Sequence, residues 1–438
     1  MNSQRILAFI ATSLLLAIVR ADASAAEARP ITLDEALDLA RRHSPRAIAA
    51  EGDRRVGAAG VRSAYGAFLP SLSLSAGATR RYPAGGGTRV EDGQVVTLPS
   101  EPWSQSAGLS ASMTLFAGGS RFFQLRGARA DAAAADENFI VEKYGVELAT
   151  KERFFAALAT RETMAAAMAR QEAAEEGLQA ASARTRARIA TRSDSLRAVI
   201  EWRNAEIDVL QARQSATLAD AQLTRAVGAS ELVTAAESPG ADSTSLSLEE
   251  SALRALAADA PSIRGAKARR DASRAALSNS WTGYLPSITA SYSRSGSGSS
   301  TEPIDDLDTY SGSLRLSASF PLFDHFNREG AIVRARASYQ NAEANLADAR
   351  LAANETLEQS LGSFRTAGAR VVSQRASVEA AEEDLRVQQE RYKTGTGTQL
   401  EVLTSQTTLH NARLALIQAR FDQRIAKAEL AALIGREP

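Results

Sequence analysis

The chain repeats itself once, and this constrains its fold more than any single motif. Leu69-Pro70-Ser71 returns as Leu285-Pro286-Ser287, a shift of 216 residues, and Pro45 and Pro261 keep that shift. Further on, Ser112-Met113-Thr114-Leu115-Phe116 returns as Ser319-Phe320-Pro321-Leu322-Phe323, now at 207, and Asn204-Ala205 returns as Asn411-Ala412 at the same 207. The first copy therefore carries nine extra residues between its two landmarks, expected in one loop. A period near 210 is too long for a solenoid, so the chain reads as one structural unit duplicated. The expected divisions are a first unit over 27–230, a linker over 231–245 and a second unit over 246–438.

Each unit follows one plan. A helix is expected over 32–66, opened by Thr32 with Glu35 three places on, and its counterpart opens near Ser247 with Glu250; both are capping-box patterns. Pro70 is expected to end the first helix. Period-two alternation follows. Leu72, Leu74, Ala76 and Ala78 alternate with Ser71, Ser73, Ser75 and Gly77, and Leu109, Ala111, Met113 and Leu115 alternate with Gly108, Ser110, Ser112 and Thr114. The second unit repeats this with Ile288, Ala290 and Tyr292, then Leu314, Leu316, Ala318 and Phe320. These runs predict β-hairpins over about 70–117 and 286–323. After Gly118 and Gly119 a helix of about 70 residues is expected, then a break and a helix from Asp194 to Val227. The second unit gives about 328–393, the break Gly395-Thr396-Gly397, and about 400–434. A helix of 70 residues spans roughly 100 Å, which no compact domain needs.

The fold class is thus mainly α with a small β part, four strands per copy of the chain. Strands of about ten residues with one apolar face and one Ser/Thr/Gly face suit a membrane barrel. Four strands cannot close one, and an open edge in lipid leaves unpaired backbone groups costing several kcal/mol each. Three copies give twelve strands; two give eight, a barrel filled by its own side chains. The helices argue likewise. Val371, Val378, Ala381, Leu385 and Tyr392 mark one heptad seam. Over 403–433 there are two, one through Leu403, Thr407, His410, Leu414, Ile417 and Phe421, the other through Leu409, Ala412, Leu416, Ala419, Gln423, Ala426, Leu430 and Leu433. Two seams on one helix mean neighbours on both sides, as in a ring of long antiparallel helices. A periplasmic coiled-coil scaffold without transport activity would also explain the helices, but leaves the hairpins superfluous.

Composition narrows the function. Fifty-one basic and 51 acidic residues balance, which argues against nucleic acid as a partner. Without cysteine there is no disulfide, zinc–thiolate site, thiol nucleophile or lipidated N-terminal cysteine. His43, His325 and His410 form no metal-spaced pair, no nucleophile or phosphate-loop motif appears, and Gly85-Gly86-Gly87 lacks the lysine of a phosphate cradle. No enzyme and no cofactor are expected. Arg5 followed by the apolar run from Ile6 to Val19 predicts a signal peptide over 1–26, cut near Ala25 or Ala26.

Taken with the duplication and the Leu-Pro-Ser turns, the stretch from Tyr392 through Thr394-Gly395-Thr396-Gly397-Thr398 to Glu401 resembles the TolC-like outer-membrane efflux protein family over nearly the whole mature chain. The resemblance implies a homotrimer in the bacterial outer membrane. A twelve-stranded β-barrel would join a periplasmic α-barrel that docks on an adaptor of an inner-membrane pump or exporter. It places Tyr392 in the network closing the periplasmic tip, and Glu401 where an acidic ring can face the lumen, with Asp194 its first-unit counterpart. Thr404 stands where some members carry a second acidic residue, and Gly397 where they carry a basic one. Gly395, Thr396, Gly397 and Thr398, with Thr191, Arg192 and Ser193 of the first unit, become the expected adaptor contacts.

Overall fold

A computed structural model describes residues 28–82, 88–97, 102–237, 248–300 and 309–436. The signal peptide expected over 1–26, the glycine run 85–87, Ser247 and part of the 231–245 linker lie outside them.

The first unit opens with β1 (Arg29–Ile31) and α1 (Leu33–His43). Thr32 caps α1 by accepting from the Glu35 N–H, but the Glu35 carboxylate pairs with Arg29 instead of returning to the cap, so the expected box is half formed. The single helix expected over 32–66 is in fact two, α1 and α2 (Pro45–Gly66). Proline keeps the residue before it out of the helical region, and Ser44 is extended at ψ 128. α2 ends at Gly66, before Pro70 is reached.

Next come β2 (Ser71–Arg80), β3 (Thr88–Glu91), β4 (Gln94–Thr97) and β5 (Trp103–Ala117). β3 and β4 form a small hairpin of their own, inside the loop where the first unit is longer. Its turn is Asp92-Gly93, both left-handed at φ 51 and 80, as a two-residue hairpin turn requires. α3 (Ser120–Arg186) and α4 (Arg192–Val227) complete the unit, and β6 (Val233–Ala235) pairs in parallel with β1, a pairing the alternation pattern did not signal.

The second unit repeats the series. α5 (Glu250–Ala257), α6 (Pro261–Ser280) and a short 3-10 turn (Trp281–Tyr284) lead into β7 (Ser287–Ser300) and β8 (Thr309–Ser319). α7 (Asn327–Lys393) and α8 (Gln399–Ile434) follow. α3 and α7 have 67 residues each and α4 and α8 have 36 each, so the two units are of equal height.

The hairpins join into one antiparallel sheet in the order β2-β5-β7-β8. The helices follow the same order: α2 packs on α3, α3 on α6, and α6 on α7. Farther from the sheet, α4 packs on α3, and α8 lies between α3 and α7. The core is correspondingly thin. One cluster joins Ile31, Val233, Phe154, Phe155, Leu223 and Phe421 where β1 and β6 meet the helices; another joins Leu253, Leu357, Leu361 and Leu430 under α5. Elsewhere the helices meet through alanines such as Ala167, Ala198, Ala205 and Ala212.

Candidate functional site

The sheet carries its chemistry on two unlike faces. Register places Leu72, Ala111, Tyr292 and Leu314 in one row, and Met113, Ala290 and Leu316 in the next. None of the described residues covers this face: Leu74 and Leu314 are each 80% exposed. Its two cations lie beside aromatic rings. Arg80 stands over Tyr82 and Trp103 at 4.6 and 5.6 Å, and Arg294 over Tyr310 at 5.9 Å. Long basic side chains with an apolar stem suit the boundary of an apolar layer. A bulge at Leu115 shifts the register between Thr114 and Phe116, so Phe116 takes up the apolar row with Ile288 and Ala318.

The opposite face is hydroxylated. Rows run Ser73, Ser110, Ser293, Ser313 and Ser75, Gly108, Ser295, Ser311. Hydroxyls bridge strands, with Ser73 to Ser110 at 2.7 Å and Ser293 to Ser313 at 2.9 Å. A sheet with an exposed leucine face and a wet serine face fits one setting: lipid outside, water inside. No helix among the described residues is long and apolar enough to cross a membrane.

At the far end of the helices the two units make twin turns. Each long helix ends in a left-handed residue, Arg188 (φ 61) after α3 and Gly395 (φ 79) after α7. The next N–H donates back five residues, from Ile189 to the Arg184 carbonyl at 3.0 Å and from Thr396 to the Arg391 carbonyl at 2.9 Å. Each short helix then opens with a full capping box. Asp194 accepts from the Thr191 N–H at 3.0 Å, and Glu401 from the Thr398 N–H at 2.7 Å. These bonds hold both carboxyls below the usual range, the Thr191 hydroxyl contributing most at Asp194 and the Thr398 backbone N–H at Glu401. Both acids are thus engaged in building the turns that carry them. Gly397 is needed for closeness: a Cβ there would lie 3.0 Å from Arg391 Cβ.

The two turns are tied to each other. The Arg184 guanidinium stacks 4.3 Å from the Tyr392 ring centre and donates to the Tyr392 carbonyl at 3.0 Å. The Tyr392 hydroxyl and Gln399 Oε1 are buried without a partner in the protomer. Thr191, Arg192, Ser193, Gly395, Thr396 and Thr398 lie exposed around this tip. Sequence reasoning missed Arg184 and Gln399. Arg184 was legible only as one of many helical arginines, and its role depends on a residue 208 positions away. His410, on its predicted seam, lies half-buried beside Arg170, which pairs with Glu201 and Asp208 at 2.6 Å each. Burial, then Arg170, pushes the imidazole's pKa down.

An exposed leucine face, a serine face and helices long enough to leave the membrane far behind define a class, the protomer of a membrane channel. The chain belongs to the outer membrane efflux protein family, whose sequence profile matches residues 36–229 and 252–436. It is a non-enzymatic efflux channel protein of the bacterial outer membrane. Protein CyaE of Bordetella pertussis is 27% identical over 395 residues, 87% of this chain and 79% of that protein. Outer membrane protein TolC of Escherichia coli is 25% identical over 184 residues, 40% of this chain and 37% of that one. The fold matches the outer membrane protein VceC of Vibrio cholerae with a TM-score of 0.74 at 20% identity, covering 92% of this chain and 96% of VceC.

Proposed function

We propose that three copies of this chain close a twelve-stranded barrel in the outer membrane and a continuous ring of helices in the periplasm. The conduit receives cargo from a periplasmic adaptor and an inner-membrane pump or type I exporter. The observation that carries this reading is the pair of open flanks. β2, α2 and α4 bound one side of the protomer, and β8 and α7 the other. Both edge strands present unpaired backbone groups beside an exposed leucine face, which lipid does not tolerate. Head-to-tail pairing of one flank with the other closes a ring, and four strands per copy give twelve at three copies.

The duplication supplies the register of that seam. β5 and β7 meet inside the chain as β8 and the next copy's β2 would meet between chains. The pair Ser112 and Ser291, moved by 207 and back by 216 residues, becomes Ser319 opposite Ser75 of the neighbouring copy. The chain has no cysteine, so the double substitution Ser75→Cys with Ser319→Cys tests it directly. Oxidation is expected to give covalent trimers on a denaturing gel, and the protein a steady conductance in planar bilayers. A detergent-free, monomeric protein without conductance refutes the reading.

At the tip, Tyr392 with Arg184 holds the turns together, Glu401 and Asp194 bring negative charge to the entrance, and the exposed residues 191–193, 395, 396 and 398, with the half-buried Gly397, form the adaptor contact. The twin capping boxes support this by presenting two rigid, exposed turns side by side.

A further inference from the structure

Within the four strands as described, the hydroxylated face carries one charged residue, Arg315 of β8. Its row is Ser71, Ser112, Ser291 and Arg315, with serines also at 311, 313, 317 and 319 along its own strand. The other arginines of these four strands, Arg80 and Arg294, lie on the leucine face. Among the described residues no hydrogen bond or ion pair holds Arg315, and it is exposed. Register derived as above sets it opposite Thr79 of the neighbouring copy, so the next chain brings no counter-charge there. An arginine among serines gains nothing for folding. A cation facing a water-filled bore, however, acts on every ion that passes.

Resting on the trimeric channel reading, we infer that Arg315 forms a threefold cationic ring in the barrel lumen, shifting the barrel segment toward anions in opposition to the acidic entrance at the tip. Strands spaced about 4.8 Å apart and tilted by about 35–45° place a twelve-stranded wall roughly 11–13 Å from the axis. Arginine reaches well in from that wall, so three guanidiniums come within about one Debye length, ~8–10 Å, of the axis at ordinary salt. Serine hydroxyls are neutral and do not offset this field. The cargo class it favours is anionic, and permanently cationic solutes are slowed at this level.

The test is the reversal potential of the full-length protein in planar bilayers under a potassium chloride gradient. Arg315→Ser merely extends the existing serine face, and Arg315→Lys keeps the charge. Arg315→Ser is expected to lower the chloride-to-potassium permeability ratio roughly two- to fivefold near 0.1 M salt, with the difference fading at 1 M, where charges act over about 3 Å. Arg315→Glu is expected to carry the ratio further toward potassium, and Arg315→Lys to leave it as in the wild type. An unchanged ratio in both Arg315→Ser and Arg315→Glu overturns the proposal, as does an equal drop in Arg315→Lys. A wild-type protein with no conductance overturns the channel reading itself and the ring with it.

Discussion

His325 and Phe326 hold left-handed backbone at φ 60 and 62, where the first unit places Gly118 and Gly119 at φ 60 and 83. Side chains there cost about 1 kcal/mol or more each. The conformation persists because Asp324 accepts from the Arg328 N–H at 3.1 Å and Phe323 packs edge-on against Phe326. Glycine spelled this junction in one unit only; the repeat carries it to the other. At the tip, residue chemistry gives a pH sign. Asp194 and Glu401 have folded pKa values below their unfolded ones, so their contribution is present above the ordinary carboxylate range and is lost as pH falls through the lowered values. His410, also lowered, acts in the same direction, since its protonation beside Arg170 is disfavoured in the fold. Acid is therefore expected to loosen the lower helices, read as smaller amide protection factors at 398–402 below pH 4 than at pH 7, each taken against the intrinsic exchange rate at its own pH. Glu401→Gln separates cap from charge, because glutamine still fits a capping box. It is expected to leave exchange at neutral pH near wild type while weakening divalent-cation block of the pore; unchanged block removes Glu401 from the entrance.

Among the elements, α4 shows what the protomer leaves unfinished. One seam, through Ala198, Ala205, Val209, Ala212 and Leu223, is buried against its own chain. A second, through Leu196, Ile200, Ile207 and Leu210, faces water, with Leu210 59% exposed. Its counterpart α8 has neighbours on both flanks, α3 and α7. Two seams with one partner call for another helix, and α7 of the next copy, where Val372 is 73% exposed, is free to supply it. Ile207→Glu with Leu210→Glu is expected to keep the helical content of the protomer and abolish the trimer in mild detergent. Trimers of undiminished stability would place the subunit seam elsewhere. This second seam was legible in α8 from sequence, but in α4 it hides among alanines until the fold shows which face is already covered.

For the molecule as a whole, thin alanine-layered packing and a sheet without a core make sense only in an assembly with lipid outside and water within. The tip stands about a full helix length from the sheet, roughly 100 Å, far enough to cross a periplasmic gap toward an adaptor. Thr396→Cys carrying a photoactivatable crosslinker is expected to capture the adaptor in cells, while the same label at Ser293, deep in the hydroxylated face, captures none. Capture from both sites, or from neither, would remove the tip from that contact.

The order of residues determined much by itself: the duplication, the strands and their two faces, the long helices, and the break at 395–397. Each is a local periodicity or a backbone preference, visible wherever side chains alternate or glycine recurs. Only the tertiary structure decided that the hairpins join through β5 and β7, that Glu401 and Asp194 cap their own helices, that Arg184 clasps Tyr392, and that Arg315 is the one charge among the described residues of the wet face. These depend on which distant segments meet and in what register, and a one-residue change of register would turn Arg315 toward lipid.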